Sequence, residues 1–121
     1  MSKNHSPTAS FGYAIRGLKT AVKKEPNFRI HIIIALATLI TASILGFTTV
    51  EWLLLAFTIT LVLLLELVNT TLESIVNLVS PKISEEARIA KDVSAAAVFL
   101  AALLAVIVGL VLFIPKILSL P

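Results

Sequence analysis

Three long apolar segments constrain the fold of this 121-residue chain more than any other feature of its sequence. They cover residues 30–47, 52–68 and 93–114. A helix rises about 1.5 Å per residue, so about 20 apolar residues span the roughly 30 Å hydrocarbon core of a bilayer. Hydrophobic residues make up 58% of the chain and charged residues 14%, against about 45–50% and about 25% in soluble domains. We therefore expect an all-α membrane protein with three transmembrane helices.

Local signals mark where these helices begin and end. The residue before a proline avoids the helical region, so Pro81 should end the second span near residue 79. Ser84, followed by Glu85 and Glu86, is a typical helix N-cap with acidic residues in the first turn. The sequence thus predicts one domain, residues 1–121, with a surface helix at about 7–25 and spans at about 29–47, 51–79 and 85–115.

The segment ahead of the first span has the pattern of an amphipathic helix. Its apolar residues recur at helical spacing, and its basic residues occupy another face. The apolar stripe is Phe11, Ile15, Leu18 and Val22, and the basic face is Arg16, Lys19 and Lys23. A basic amphipathic helix beside a membrane span is expected to lie in the interface plane. The alternative is an ordinary solvated helix.

The distribution of Lys and Arg predicts the orientation. Six precede the first span: Lys3, Arg16, Lys19, Lys23, Lys24 and Arg29. Three more lie between the second and third spans: Lys82, Arg88 and Lys91. Cytoplasmic loops carry the excess of positive charge, so the N-terminus and residues 80–92 should be cytoplasmic. The first 27 residues contain no apolar core of a signal peptide, and we expect the first span to act as an uncleaved signal.

Polar residues interrupt the apolar pattern at the end of the second span. Glu66, Asn69, Glu73 and Asn77 fall within about 80° of one another on a helix. Glu66 and Glu73 are about 10 Å apart along the axis, too far to share one small ion readily. An ionisable residue at this depth indicates a functional site. The alternative is a carboxylate that extends to the interface or pairs with a lysine.

Other charged residues should reach the same membrane face. Glu25 lies between the surface helix and the first span, and Lys91 and Asp92 lie where the third span enters the bilayer. Oxygen ligands suit Mg²⁺, and a lysine suits phosphate. The set is compatible with a metal-bound nucleotide held above a lipid headgroup. The chain has no Walker A motif and no Gly-rich phosphate loop, so spacing alone does not identify a reaction.

Three motifs carry a resemblance to a known family. "ELVNTTLESIVN", "AKDVSAAAV" and "KKEPNFRIH" resemble segments of the small bacterial membrane kinases that phosphorylate diacylglycerol or undecaprenol. The resemblance covers nearly the whole chain. It implies a homotrimer in the bacterial plasma membrane, with active sites shared between subunits at the cytoplasmic interface. It also implies ATP and Mg²⁺ as co-substrate and cofactor, and a lipid hydroxyl as acceptor.

The resemblance assigns roles by position. Glu66 would be the catalytic base, and Asn69 would orient Glu66 or the lipid hydroxyl. The other assigned residues would bind nucleotide: Glu25 and Glu73 through the metal, Lys91 and Asp92 directly, and Tyr13 from the surface helix. Asn77 and Thr71 depart from the family's usual aspartate and alanine, and the loop "PKISEEARI" lacks a histidine often found there.

The resemblance favours undecaprenol as substrate, because "NFRIH" and "IAKDVSAAAV" look more like the undecaprenol kinase branch. Diacylglycerol is the alternative. His31 either tunes this choice or packs as a hydrogen-bonded interfacial residue. A cation-coupled transporter, with Glu66 as coupling carboxylate, is a remote alternative because transport sites usually lie near the midplane. A purely structural protein would leave the acidic cluster unexplained.

Overall fold

The computed structural model describes residues 6–121, and within that range it contains four helices and no strand. They are α1 (Pro7–Lys24), α2 (Pro26–Leu45), α3 (Thr49–Val79) and α4 (Glu85–Leu118). The last three are long and apolar enough to cross a membrane. The expected all-helical architecture with three candidate spans is therefore confirmed. Because α2, α3 and α4 alternate in direction, the end of α3 lies near the starts of α2 and α4.

Caps and breaks in the sequence fix the helix boundaries. Glu25 has an extended backbone, and Pro26 starts α2 because proline is tolerated in the first turn. The first span thus begins about three residues earlier than the apolar pattern suggests. Gly46 ends α2 with φ of 70°, a left-handed conformation that favours glycine. Thr48 and Glu51 form a capping box at the start of α3.

The start of α4 follows the cap signal in the sequence. Ser84 accepts a hydrogen bond from the Ala87 backbone N–H, and the helix begins at Glu85. At its other end α4 continues through Pro115 to Leu118, three residues beyond the expected end. An interior proline removes one backbone hydrogen bond but leaves the rest of a helix able to continue.

The compact part of the core lies at the end of the bundle away from Glu66 and Glu73. Ala42, Phe47, Leu55 and Leu112 form a buried cluster there. Beside it, the Lys116 ammonium lies 3.1 Å from the Glu51 carboxylate and over the Phe47 ring. These contacts join α2, α3 and α4 at one end, and Glu66, Asn69 and Glu73 lie toward the other end, the polar end.

A basic side chain of α2 contacts the end of the surface helix α1. Arg29, in the first turn of α2, donates from Nη1 to the backbone carbonyls of Val22 and Lys23, at 2.8 and 3.0 Å. These carbonyls belong to the last turn of α1, where helical partners are missing. The predicted apolar stripe of α1 is exposed in the single chain, and Ala21 is the buried residue of the helix. Its placement in the membrane interface stays a prediction.

Candidate functional site

Glu66 is the buried carboxylate of the chain's polar end. It lies on the inner face of α3 with 4% of its surface exposed. Its Oε1 is 3.2 Å from Nε2 of His31 on α2, a hydrogen-bond distance. A buried carboxylate is costly unless a partner satisfies it, and the imidazole provides that partner. Both residues stand out in the sequence, but their pairing links two helices and was not evident from their spacing.

Asn69 and Glu73 lie farther along the same helix, toward its end. The Asn69 amide donates to Oε1 of Glu73 at 3.2 Å, across one turn. The other polar atom of that side chain, Oδ1, is buried and has no hydrogen-bond partner among residues 6–121. In this structure the Asn69 donor is directed to Glu73, and its predicted role in orienting Glu66 stays a prediction. Buried polar atoms are rarely unpaired, so the Asn69 Oδ1 is an exception in this structure.

Glu25 brings a third carboxylate to this end of the bundle. It occupies the break between α1 and α2 and is partly buried. The negative charges of Glu25 and Glu73 both act on Glu66 and repel its own charge. Such a concentration of like charge is costly in the absence of cations. Glu25, Glu66 and Glu73 therefore concentrate negative charge at this end of the bundle.

A second polar region lies around the connection between α3 and α4. A cavity of about 230 Å³ is lined by Asn77, Lys82, Arg88, Lys91 and Asp92, together with less polar residues of the same connection. Arg88 donates to Asp92 at 2.7 Å and pairs with Glu85, so it bridges two acidic residues of its own helix. Lys91 and Asp92, which were predicted as site residues, line this cavity, and Asn77 lines it as well.

Arg88 and Lys82 were not singled out as site residues in the sequence. Arg88 could have been found from its position three residues after Glu85 and four before Asp92, a spacing that permits two ion pairs on one helix. Lys82 gives no such signal, because it lies in the connection outside any helix. The two residues add two positive charges to the cavity that contains Lys91.

Tyr13, predicted to lie near nucleotide, is on α1 and has 45% of its surface exposed. The Arg16 guanidinium carbon lies 5.6 Å from the centre of its ring, within the range of a cation–π contact. A planar aromatic ring with a neighbouring guanidinium is suited to contact a base or a phosphate.

Within residues 6–121, the carboxylates at the polar end do not form a complete metal site by themselves. Among residues 6–121, no three His, Asp or Glu side chains are grouped closely enough to hold an ion by themselves. Mg²⁺ is usually bound by one or two carboxylates and completes its shell with water and substrate phosphate. Glu25 and Glu73 are two carboxylates whose charges act at this end of the bundle. Their number is compatible with that mode of binding.

An apolar groove runs between α2, α3 and α4. Its volume is about 420 Å³, and its lining extends from His31 at the polar end to Phe113 at the other. Thr38 and Thr58 also line it, but their hydroxyls donate to carbonyls of their own helices, at 2.8 and 2.7 Å. The groove therefore offers an almost entirely apolar surface that begins beside the His31–Glu66 pair.

Known proteins resemble this chain along most of its length. A family model described as prokaryotic diacylglycerol kinase matches residues 12–113. The chain is 47% identical over 112 residues to a diacylglycerol kinase of Synechocystis sp., which is 92% of this chain and 64% of that protein. It is 36% identical over 107 residues to an undecaprenol kinase of Bacillus subtilis, with 88% and 87% covered. A diacylglycerol kinase of Escherichia coli K12 is 31% identical over 101 residues, with 84% and 83% covered.

Proposed function

Since this chain belongs to the prokaryotic diacylglycerol kinase family, a family of lipid kinases, we propose that it transfers the γ-phosphoryl group of ATP to the hydroxyl of a membrane lipid. The observation that carries the proposal is the buried Glu66, paired with His31 where an apolar groove meets the polar end of the bundle. A lipid alcohol needs both surfaces, because its chain is apolar and its reacting group is polar.

Glu66 is the proposed general base. The lipid oxygen forms a bond to the γ-phosphorus while its proton passes to the Glu66 carboxylate. The bond from the γ-phosphorus to the bridging oxygen breaks, and ADP leaves with that electron pair. His31 lies at Oε1, which leaves Oε2 to accept the proton. A positioned base typically contributes about 10²–10⁴-fold to the rate.

The nucleotide would lie on the cytoplasmic side of Glu66. Glu25 and Glu73 would hold Mg²⁺, Lys91 would contact the phosphates, and Asn69 would orient Glu66 or the lipid hydroxyl. When bound, Mg²⁺ neutralises charge on the phosphates of ATP. The separation of about 10 Å between Glu66 and Glu73 along α3 suits a lipid at one level and a nucleotide at the other. Asp92 and Tyr13 are the remaining proposed nucleotide contacts.

The same proposal includes topology and assembly. The protein would cross the bacterial plasma membrane three times, with its N-terminus and residues 80–92 in the cytoplasm, because positive charge concentrates there. It would form a homotrimer with active sites shared between subunits. The exposed apolar stripe of α1 and the mostly exposed surfaces of the three spans are compatible with lipid and with neighbouring subunits.

Two lipid substrates are in competition. We propose undecaprenol, because "NFRIH" and "IAKDVSAAAV" resemble the undecaprenol kinase branch. Diacylglycerol is the second candidate, because the Synechocystis relative that shares 47% identity is named a diacylglycerol kinase. Both molecules present a primary alcohol on a long apolar chain, so the general-base chemistry is the same for either.

The experiment is phosphate transfer from γ-labelled ATP by the purified full-length protein in mixed micelles. Undecaprenol, diacylglycerol and monoacylglycerol are offered separately, with and without Mg²⁺. We expect a labelled lipid product that requires Mg²⁺, and the most efficient acceptor identifies the substrate. If no lipid is labelled while the protein is folded, the kinase proposal is wrong. Cation flux into proteoliposomes would then favour the transporter.

A further inference from the structure

We propose that His31 is a positioning residue for the kinase reaction, holding the Glu66 carboxylate in the orientation that accepts the lipid proton. This inference rests on the proposed function. It concerns a residue for which the family resemblance assigned no role and which lies on a different helix from the proposed base. Its basis is the contact between Nε2 of His31 and Oε1 of Glu66, at 3.2 Å.

The burial of the two side chains explains why such a partner is needed. The Glu66 side chain is 5% exposed, so bulk water has little access to orient it. The His31 side chain is 24% exposed. One part of the imidazole therefore contacts the Glu66 carboxylate, and another part stays accessible from outside the chain. A glutamate has three rotatable side-chain bonds, and a close contact at one oxygen restricts which of its conformers are populated. The second oxygen then has a defined position for the incoming hydroxyl.

The groove gives the imidazole a second relevant contact. His31 lines its polar end, while the hydroxyls of Thr38 and Thr58 are occupied by carbonyls of their own helices. A lipid alcohol with its chain in the groove would thus meet the imidazole as it approaches Glu66. Because the pairing joins α2 to α3, it also keeps the base aligned with the wall of the groove.

Misplacement of a reacting group by about 1 Å can reduce a rate about 10²-fold. Loss of the imidazole should therefore lower kcat more than it changes substrate binding. In His31→Leu we expect kcat to fall about 10- to 100-fold, with KM for ATP within about twofold of the original. His31→Gln should recover a large part of that loss, because the Gln amide nitrogen can donate from nearly the same position as Nε2.

The kinetic test uses the purified full-length protein in mixed micelles and compares His31→Leu, His31→Gln and the matched control Thr41→Val. Thr41 lies on the same helix, is exposed, and donates its hydroxyl to the Ala37 carbonyl. The inference is supported if kcat decreases from the original protein to His31→Gln and again to His31→Leu, while Thr41→Val retains full activity. It is overturned if His31→Leu keeps kcat within twofold, or if Leu and Gln lose activity equally. If His31→Leu does not fold, the test uses His31→Gln alone. A kcat of His31→Gln below one tenth of the original value then overturns the inference.

A spectroscopic test separates this inference from the kinase proposal. The imidazole nitrogens of ¹⁵N-histidine-labelled protein are observed by NMR, and His31→Gln identifies the signals of His31. Glu66→Gln should shift the Nε2 signal of His31, and Thr41→Val should leave it unchanged. An unaltered signal in Glu66→Gln overturns the positioning role even when the protein is an active kinase. Absence of phosphate transfer by the original protein overturns the kinase proposal and leaves the contact itself measurable.

Discussion

The attachment of the surface helix provides a quantitative prediction. Arg29→Met removes two hydrogen bonds, at 2.8 and 3.0 Å, from a guanidinium to the carbonyls of Val22 and Lys23. Hydrogen bonds to charged groups contribute about 1.5–3 kcal/mol each, but this site is exposed and the gain is reduced by solvent. We therefore assign about 1 kcal/mol to the pair, including the interaction of the cation with the C-terminal end of α1. That value corresponds to about a fivefold increase in the undocked population of α1.

The assay is amide hydrogen exchange of the protein in nanodiscs, analysed separately for α1 and α3. Arg29→Met should accelerate exchange about fivefold in the last two turns of α1 and leave α3 unchanged. Lys19→Met is the control, because it removes a positive charge from α1 without removing these bonds. Equal exchange in α1 of the original protein and Arg29→Met would refute the assigned role of the guanidinium, as would equal acceleration by Lys19→Met.

Two further predictions concern the opposite ends of α3. Glu73→Gln should raise the Mg²⁺ concentration needed for half-maximal phosphate transfer about tenfold, because the metal loses a charged ligand while Asn69 retains an amide partner. A magnesium titration measures this, and an unchanged requirement would remove Glu73 from the proposed metal site. Thr48→Ala should lower the free energy of unfolding in detergent by about 1 kcal/mol, because it removes the side-chain half of a capping box. Thr41→Ala is the matched control, and equal losses in both variants would show that the cap contributes nothing specific.

The sequence predicted the helices better than it predicted their contacts. Apolar length revealed the three candidate spans, and Ser84 marked the start of α4, because both signals act within one segment. Two predicted limits were less accurate. The first span was expected to start at about 29 and the third to end at about 115, whereas α2 starts at Pro26 and α4 continues through Pro115 and ends at Leu118. Proline restricts the backbone in either case, and whether the helix starts, stops or continues there depends on the surrounding packing.

The candidate site was recognisable as a set of polar residues at one end of apolar helices. Helical spacing placed Asn69 and Glu73 on one face, and the structure joins them by a hydrogen bond. The partner of Glu66 could not be predicted in the same way, because His31 lies on another helix and the contact depends on how α2 rotates about its axis. The same limit applies to Arg29, whose acceptors are backbone carbonyls and leave no pattern in the residue types.

The central claim is that Glu66 accepts a proton from a lipid alcohol, and Glu66→Gln tests it most directly. Gln keeps the size of the side chain and an oxygen that can accept a hydrogen bond, but it is not basic. In single-turnover transfer from γ-labelled ATP to lipid, the variant should be slower by at least about 100-fold. Its affinity for magnesium–ATP, measured by binding of a non-hydrolysable analogue, should stay within about threefold. A transfer rate within tenfold of the original protein, with binding intact, would contradict the account.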